Sequence, residues 1–191
     1  HYPLRRQRQM CIRDRPSANI SSRLSSVQAS DVLEEFGSKI KYILNGGRSR
    51  IGVESTIISL LNKPTILRLG ALDVKKIKNL LKNKISIKIN SKNKVVPGQF
   101  PLHYSPGIPL RMNIKKPKKN EAFVLIKKRK ENAKSYYYLS KKNDLNQSAK
   151  NLYPLLRRIK KDGYKMIAVE KIQNKGIGRT INDRLTRASK F

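Results

Sequence analysis

Five short segments hold residue types that can do chemistry. Ser17, Asn19 and Ser25 belong to a run of small hydroxyl and amide residues, Pro16-Ser17-Ala18-Asn19 and Ser21-Ser22-Arg23-Leu24-Ser25-Ser26. Such a loop can bond phosphate or ribose while its backbone approaches closely, or it can be a plain turn. Gly52-Val53-Glu54-Ser55-Thr56 follows an Asn45-Gly46-Gly47 turn and sets two hydroxyls at a strand mouth. Arg68, in Leu67-Arg68-Leu69-Gly70, either snorkels to solvent or faces an anion. No acidic residue lies within four positions of it, which favours an anionic partner. His103-Tyr104-Ser105-Pro106 places a histidine in a proline-fixed loop that could close over a ligand or be structural. In Ile181-Asn182-Asp183-Arg184-Leu185, Asp183 and Arg187 are spaced i, i+4, which suits a surface ion pair. No Walker loop, no dinucleotide loop after a strand and no Ser/His/Asp set occurs. One Cys (Cys11) and two His exclude a disulfide framework, a multi-cysteine zinc site and a histidine-rich site, so no metal site is expected.

These segments must be carried by regular elements. Ser30 is expected to cap a short helix stopped by Gly37, with Val32, Leu33 and Phe36 inward. Strands are expected at Ile40–Leu44, 56–61 and 65–69, and a helix over 74–83 capped by Asp73 with Val74, Ile77, Leu80 and Leu81 on one face. Ile85, Ile87 and Ile89 suggest a short half-buried strand. Five prolines between Pro97 and Pro117 then predict a stretch without regular structure. The end of the chain has an α/β rhythm: strands Ala122–Ile126, Tyr136–Leu139 and Met166–Val169, a helix 144–161 with Leu152, Leu155, Leu156 and Ile159 inward and Pro154 as a kink, and a helix 180–189. Residues 1–15, rich in arginine and without period, read as a non-family arm or an artefact. The expected organisation is 16–83, a connection 84–121, and a small layered α/β domain 122–191.

The chain has 191 residues with 44 Lys+Arg against 12 Asp+Glu, a formal charge of +32. That charge draws phosphates and favours nucleic acid. Lysines outnumber arginines 28 to 16 and the chain is also rich in Ile and Asn, so AT-rich codon usage is the competing explanation. No apolar run approaches the roughly 18 residues of a membrane span, and the start lacks a secretory pattern. A cytoplasmic location without membrane contact is expected.

Taken in order, Pro-Ser-Ala-Asn, the Asn45-Gly-Gly turn, Gly52-Val-Glu-Ser-Thr, Arg68 with Gly70, Pro97-Gly98, His103-Tyr104-Ser-Pro and Ile181-Asn-Asp-Arg-Leu resemble the threonylcarbamoyl-AMP synthase family in its long, two-domain form, over residues 16–189. The resemblance implies an α/β fold class: a partial YrdC-like α/β domain followed by a small Rossmann-like α/β domain. It implies an enzyme making threonylcarbamoyl-AMP from L-threonine, bicarbonate and ATP, releasing pyrophosphate, for threonylcarbamoyladenosine in tRNA. Ser17, Asn19, Ser25, Arg68 and Tyr104 then correspond to ATP contacts, Ser55 to a threonine contact, and His103 to the linker over the site. No catalytic residue is assigned. ATP is a substrate, Mg2+ arrives with the nucleotide, and double-stranded or transfer RNA is a further expected contact. Two departures stand out. The family's first half, with its lysine and arginine grip on ATP and threonine, does not precede Pro16, and this chain alone is expected to be inactive. Gln99-Phe100-Pro101-Leu102 replaces the family's usual methionine-lysine-tyrosine-arginine run. The alternative from another class is a non-catalytic basic RNA-binding protein. The sequence leaves the oligomeric state open.

Overall fold

The structure, a computed structural model, describes residues 17–89, 96–131 and 133–190. The arm 1–15, with Cys11 and the 15/16 boundary, lies outside them. Helix α1 (Ala29–Phe36) and a 3-10 turn (Gly37–Lys39) precede β1 (Ile57–Ser59), β2 (Thr65–Arg68), α2 (Val74–Leu80) and β3 (Ser86–Ile87). There follow β4 (Leu110–Arg111), β5 (Ala122–Leu125), β6 (Tyr136–Tyr138), α3 (Leu145–Lys161), β7 (Ile167–Val169) and α4 (Gly178–Ala188). Two sheets form, in the orders β1-β2-β3 and β4-β7-β5-β6. In the first, β1 pairs antiparallel and β3 parallel with β2. Every pairing in the second is parallel.

The fold class is α/β, as expected. Helices α3 and α4 bury Leu152, Leu156, Ile159, Ile181 and Leu185 against the Val124, Ile167 and Val169 face of the second sheet. Phe123, Leu125 and Ala168 on the other face form a smaller cluster under Ile114, Tyr136 and Tyr138. This is a two-layer version of the Rossmann-like arrangement, with both helices on one side. The larger core also takes in Leu24, Val27 and Tyr104, so it reaches beyond its own sheet. The first sheet has a separate core of Ile66, Leu69, Val74, Ile77 and Ile85.

Local chemistry explains most boundaries. Asp73 caps α2 by accepting from the Lys75 amide at 2.9 Å, and Asp144 caps α3 through the amides of Asn146 and Gln147. Leu155 on α3 is half-buried rather than fully inward. Several expectations are corrected. Ser30 does not cap α1; the helix starts at Ala29, and Asp31 reaches back to the Val27 amide at 2.9 Å. Of its proposed inner face, Leu33 is 59% exposed, and in α2 Leu80 is 82% exposed. Ile40–Leu44 is not a strand: no strand of the described residues pairs with it, and Leu44 is 96% exposed. The proline-rich stretch does hold regular structure at β4, where Pro109 opens the strand and its carbonyl accepts the Ile167 amide.

Gly70, just after β2, packs against the backbone that leads into β1. A Cβ there would sit 2.1 Å from Ser55 C and Thr56 N, backbone atoms that cannot yield cheaply. Gly70→Ala is expected to destabilise the chain by about 1–3 kcal/mol in urea unfolding. Gly46→Ala, with open space around its Cβ, is the control and should change little. A Gly70→Ala chain as stable as the parent would contradict this packing.

Candidate functional site

The polar centre of the molecule is Glu54, in the loop before β1. Its carboxylate accepts from the Ser25 hydroxyl at 2.5 Å, the Tyr153 hydroxyl at 3.0 and 3.1 Å and the Arg184 Nε at 2.8 Å. Arg184, on α4, is 1% exposed. It also donates from Nη1 to Asp183 at 2.5 Å and from Nη2 to the Leu69 carbonyl at 2.6 Å. Its guanidinium carbon lies 4.5 Å from the centroid of the Tyr104 ring, in cation–π contact, and Tyr104 stacks on Tyr153 at 6.0 Å. Burial pushes the Glu54 carboxyl up, but the Arg184 charge and the Ser25 hydrogen bond outweigh it, so the group stays below the usual carboxylate range.

Ser55 follows Glu54 directly and meets Arg68 at the end of β2. Arg68 donates from Nε to the Ser55 carbonyl and from Nη2 to the Ser55 Oγ, both at 3.1 Å, and from Nη1 to the Pro97 carbonyl at 3.2 Å. All three acceptors are neutral, and Arg68 has no carboxylate partner among the described residues. Gly98, at φ +86°, separates Arg68 from the linker: a Cβ there would lie 2.3 Å from the Tyr104 Oη and 3.1 Å from the Arg68 Cδ. Only glycine combines that conformation with that approach.

Tyr104 holds a left-handed φ of 60° and brings His103 against its ring at 4.1 Å. His103 is half-buried, and its Nδ1 has no hydrogen-bond partner in the described residues. The same is true of the buried Oδ1 of Asn19, whose Nδ2 donates to the Ile20 carbonyl at 2.9 Å. The 19–23 loop lies beside the linker: the Ser105 amide donates to the Ser22 carbonyl at 2.8 Å.

Ser25, Ser55, Arg68, His103 and Tyr104 are thus gathered around one buried ion pair, with Asn19 on the adjoining loop. Ser17 is exposed and makes no hydrogen bond among the described residues. Sequence reasoning missed Glu54, Tyr153 and Arg184 as organisers, although Glu54 sits inside the Gly52-Val-Glu-Ser-Thr motif and Arg184 inside Ile181-Asn-Asp-Arg-Leu. It also misjudged Asp183–Arg187. That pair is buried, at 3.1 Å, and Arg187 continues to the carbonyls of Phe100 and Ile89. No cluster of three metal-ligating side chains occurs among the described residues, and no helix there is long and apolar enough to cross a membrane.

Residues 72–190 match the family model described as "Threonylcarbamoyl-AMP synthase, C-terminal domain". The chain belongs to the threonylcarbamoyl-AMP synthase family. Residues 14–70 match a second model, described as "Telomere recombination". The threonylcarbamoyl-AMP synthase of Pyrococcus abyssi is 33% identical over 92% of this chain and 57% of its own length. That of Bacillus subtilis is 27% identical over 91% and 56%. The crystal structure of P. abyssi Sua5 complexed with L-threonine superposes with a TM-score of 0.78 at 30% identity, over 91% of this chain and 56% of that one. The chain therefore spans about half the length of the curated threonylcarbamoyl-AMP synthases it matches.

Burial holds the His103 imidazole below the usual histidine range; Arg184, Arg187 and Arg68 act in the same direction, and Glu54 opposes them. The folded group therefore titrates below its unfolded value of about 6.5, and the unfolded chain takes up a proton first as pH falls. This part of the stability is full above the unfolded value and declines as pH drops through it. Urea midpoints at about pH 7.5 and about 5.5 should show a larger loss for the parent than for His103→Gln. Glu54, lowered from 4.5, titrates below that window. Equal losses in the two chains would remove His103 from the account.

Proposed function

We propose that this chain is part of an enzyme that makes threonylcarbamoyl-AMP from L-threonine, bicarbonate and ATP, releasing pyrophosphate, in the cytoplasm, for the threonylcarbamoyl modification of tRNA adenosine. The observation that carries the reading is Arg68: a guanidinium held beside Ser55 and the Tyr104 linker, whose hydrogen-bond partners among the described residues are neutral oxygens. Its charge is left for an anion, and its fork suits phosphate. The names of the relatives support the same reaction, and none supports a non-catalytic RNA-binding protein.

In this reading bicarbonate takes up a proton and loses water to give carbon dioxide. The neutral threonine amine takes this up as a carbamate, releasing a proton in turn. A carbamate oxygen then attacks the α-phosphorus, the bond to the β-phosphate oxygen breaks, and pyrophosphate leaves. The protein's part is positioning and charge neutralisation. Arg68 binds the phosphates, with Tyr104, Ser25, Asn19 and Ser17 as further nucleotide contacts. Ser55 accepts from Arg68 at its Oγ, so its own O–H can turn to the threonine. His103, kept neutral by burial, presents an acceptor rather than another positive charge. Magnesium, which neutralises phosphate charge when bound, enters with the nucleotide: Glu54 is committed to Ser25, Tyr153 and Arg184 and does not offer a metal ligand.

Steady-state kinetics on the full-length protein containing this chain test the assignment. Arg68→Ala should weaken ATP use by about 1.5–3 kcal/mol, roughly 10- to 150-fold, and Arg68→Lys should restore part of it. Ser55→Ala should raise the threonine requirement more than the ATP requirement. Pyrophosphate release without threonine, or an unchanged ATP dependence in Arg68→Ala, would contradict the reading.

A further inference from the structure

The Asn45-Gly46-Gly47 turn has no part in the reaction proposed above, and its chemistry is of another kind. Asn45 is the one asparagine of this chain that glycine follows. Asn45, Gly46 and Gly47 are all exposed, in the irregular loop between the 3-10 turn and β1. A Cβ built at Gly46 or at Gly47 would meet nothing within 4 Å. The Asn45 Oδ1 accepts from the Gly47 amide at 3.0 Å, which folds the carboxamide back along the two glycines. The Gly46 amide donates to nothing among the described residues. Just past the turn the loop is anchored. Arg48 donates from Nη2 to the Lys150 carbonyl at 2.9 Å and to the Asn151 Oδ1 at 3.0 Å, and the Ser49 amide donates to the Val27 carbonyl at 2.8 Å.

A free amide next to an unhindered carboxamide is what an intramolecular attack requires. Once the Gly46 amide loses its proton, its nitrogen adds to the Asn45 Cγ. Negative charge then develops on Oδ1, where the Gly47 N–H already donates. The Cγ–Nδ2 bond breaks, Nδ2 takes up a proton, and ammonia leaves a five-membered succinimide. Water opens that ring at one carbonyl to give aspartate, or at the other to give isoaspartate. The surrounding charge has the right sign for each anion on this path. No acidic residue lies between Glu35 and Glu54, whereas Lys41, Arg48 and Arg50 flank the turn.

Asp162-Gly163 offers the same ring closure, with water as the leaving group, and there the fold withholds it. The Gly163 amide donates to the Lys160 carbonyl at 3.1 Å. The Asp162 carboxylate accepts from the Tyr137 hydroxyl at 2.6 Å and pairs with Arg158 at 3.6 Å. Both reacting groups are therefore occupied at the end of α3, and both are open at Asn45. We propose that Asn45 is a self-modification site of this protein, which converts in water to aspartate and isoaspartate in the folded chain. Conversion replaces a neutral amide with a negative charge three residues before Arg48. In the isoaspartyl product it also adds a methylene to the main chain that leads into the Arg48 anchor on α3. The inference stands apart from the reaction proposed above.

Peptide mapping of the 191-residue chain, aged at mildly alkaline pH with and without urea, tests it. The tryptic peptide 42–48 should gain the mass of an amide-to-acid change and split into two products, one of them labelled by protein isoaspartate methyltransferase. Its rate should rise about 10-fold per pH unit, because the nitrogen must first lose a proton. In the folded chain that rate should be no less than about a third of the rate in urea. The peptide 162–165 should form isoaspartate at least about 10-fold more slowly in the folded chain than in urea, which also shows that the chain is folded during the assay. Gly46→Ala should slow conversion at Asn45 by about 10-fold or more, since a side chain then crowds the attacking nitrogen. A folded chain that protects Asn45 as strongly as Asp162 would overturn the proposal. So would an unchanged rate in Gly46→Ala, or conversion at Asn45 that yields no isoaspartate.

Discussion

One buried guanidinium holds the two sheets of this molecule in register. Arg184 belongs to the second unit by sequence and packing, yet its partners Glu54 and the Leu69 carbonyl belong to the first. A charge this deep is tolerable only if every face is satisfied, and here Glu54, Asp183, a backbone carbonyl and an aromatic ring each take one. Such a pair need not stabilise more than an apolar one would. Its removal on one side only is costly, because the other charge is stranded, and that asymmetry specifies a single docking geometry.

The site inherits its shape from this constraint. Glu54 fixes the loop that carries Ser55, Ser55 meets Arg68, and the Tyr104 ring lies against Arg184 with His103 beside it. Helix α4 adds further ties along its length. Thr180 donates to the Gly70 carbonyl at 2.8 Å, and Arg187 reaches Phe100 and Ile89. The C-terminal unit therefore grips the backbone on which the candidate phosphate and threonine contacts stand. A side chain can fix a loop in this way without touching a ligand.

The sequence was legible where information is local. The Asp73 cap, the inner face of α3 and the α/β rhythm after residue 121 follow from spacing and capping chemistry. Residues 40–44 misled because alternation alone cannot supply a partner strand. The Glu54–Arg184 pair spans 130 residues, and the hydrogen bonds from α4 to Leu69, Gly70, Phe100 and Ile89 all end on main-chain carbonyls, which carry no side-chain signature. Asp183–Arg187 was read as a surface pair because helical spacing fixes proximity and not depth. The two halves also differ in how far their apolar surface is covered. Tyr42, Leu44, Leu60, Leu61 and Leu80 are all exposed, and among the described residues every large exposed apolar residue falls within 20–102. Such a surface is an aggregation hazard in solution.

The measurement closest to the central claim is a double-mutant cycle on Glu54 and Arg184, read from urea unfolding. Arg184→Leu and Glu54→Leu should each cost about 3–5 kcal/mol, while the double variant should be more stable than the sum of the two losses by about 2 kcal/mol or more. Additive losses would mean that the two charges do not depend on each other, and the account of how α4 holds the site would fail.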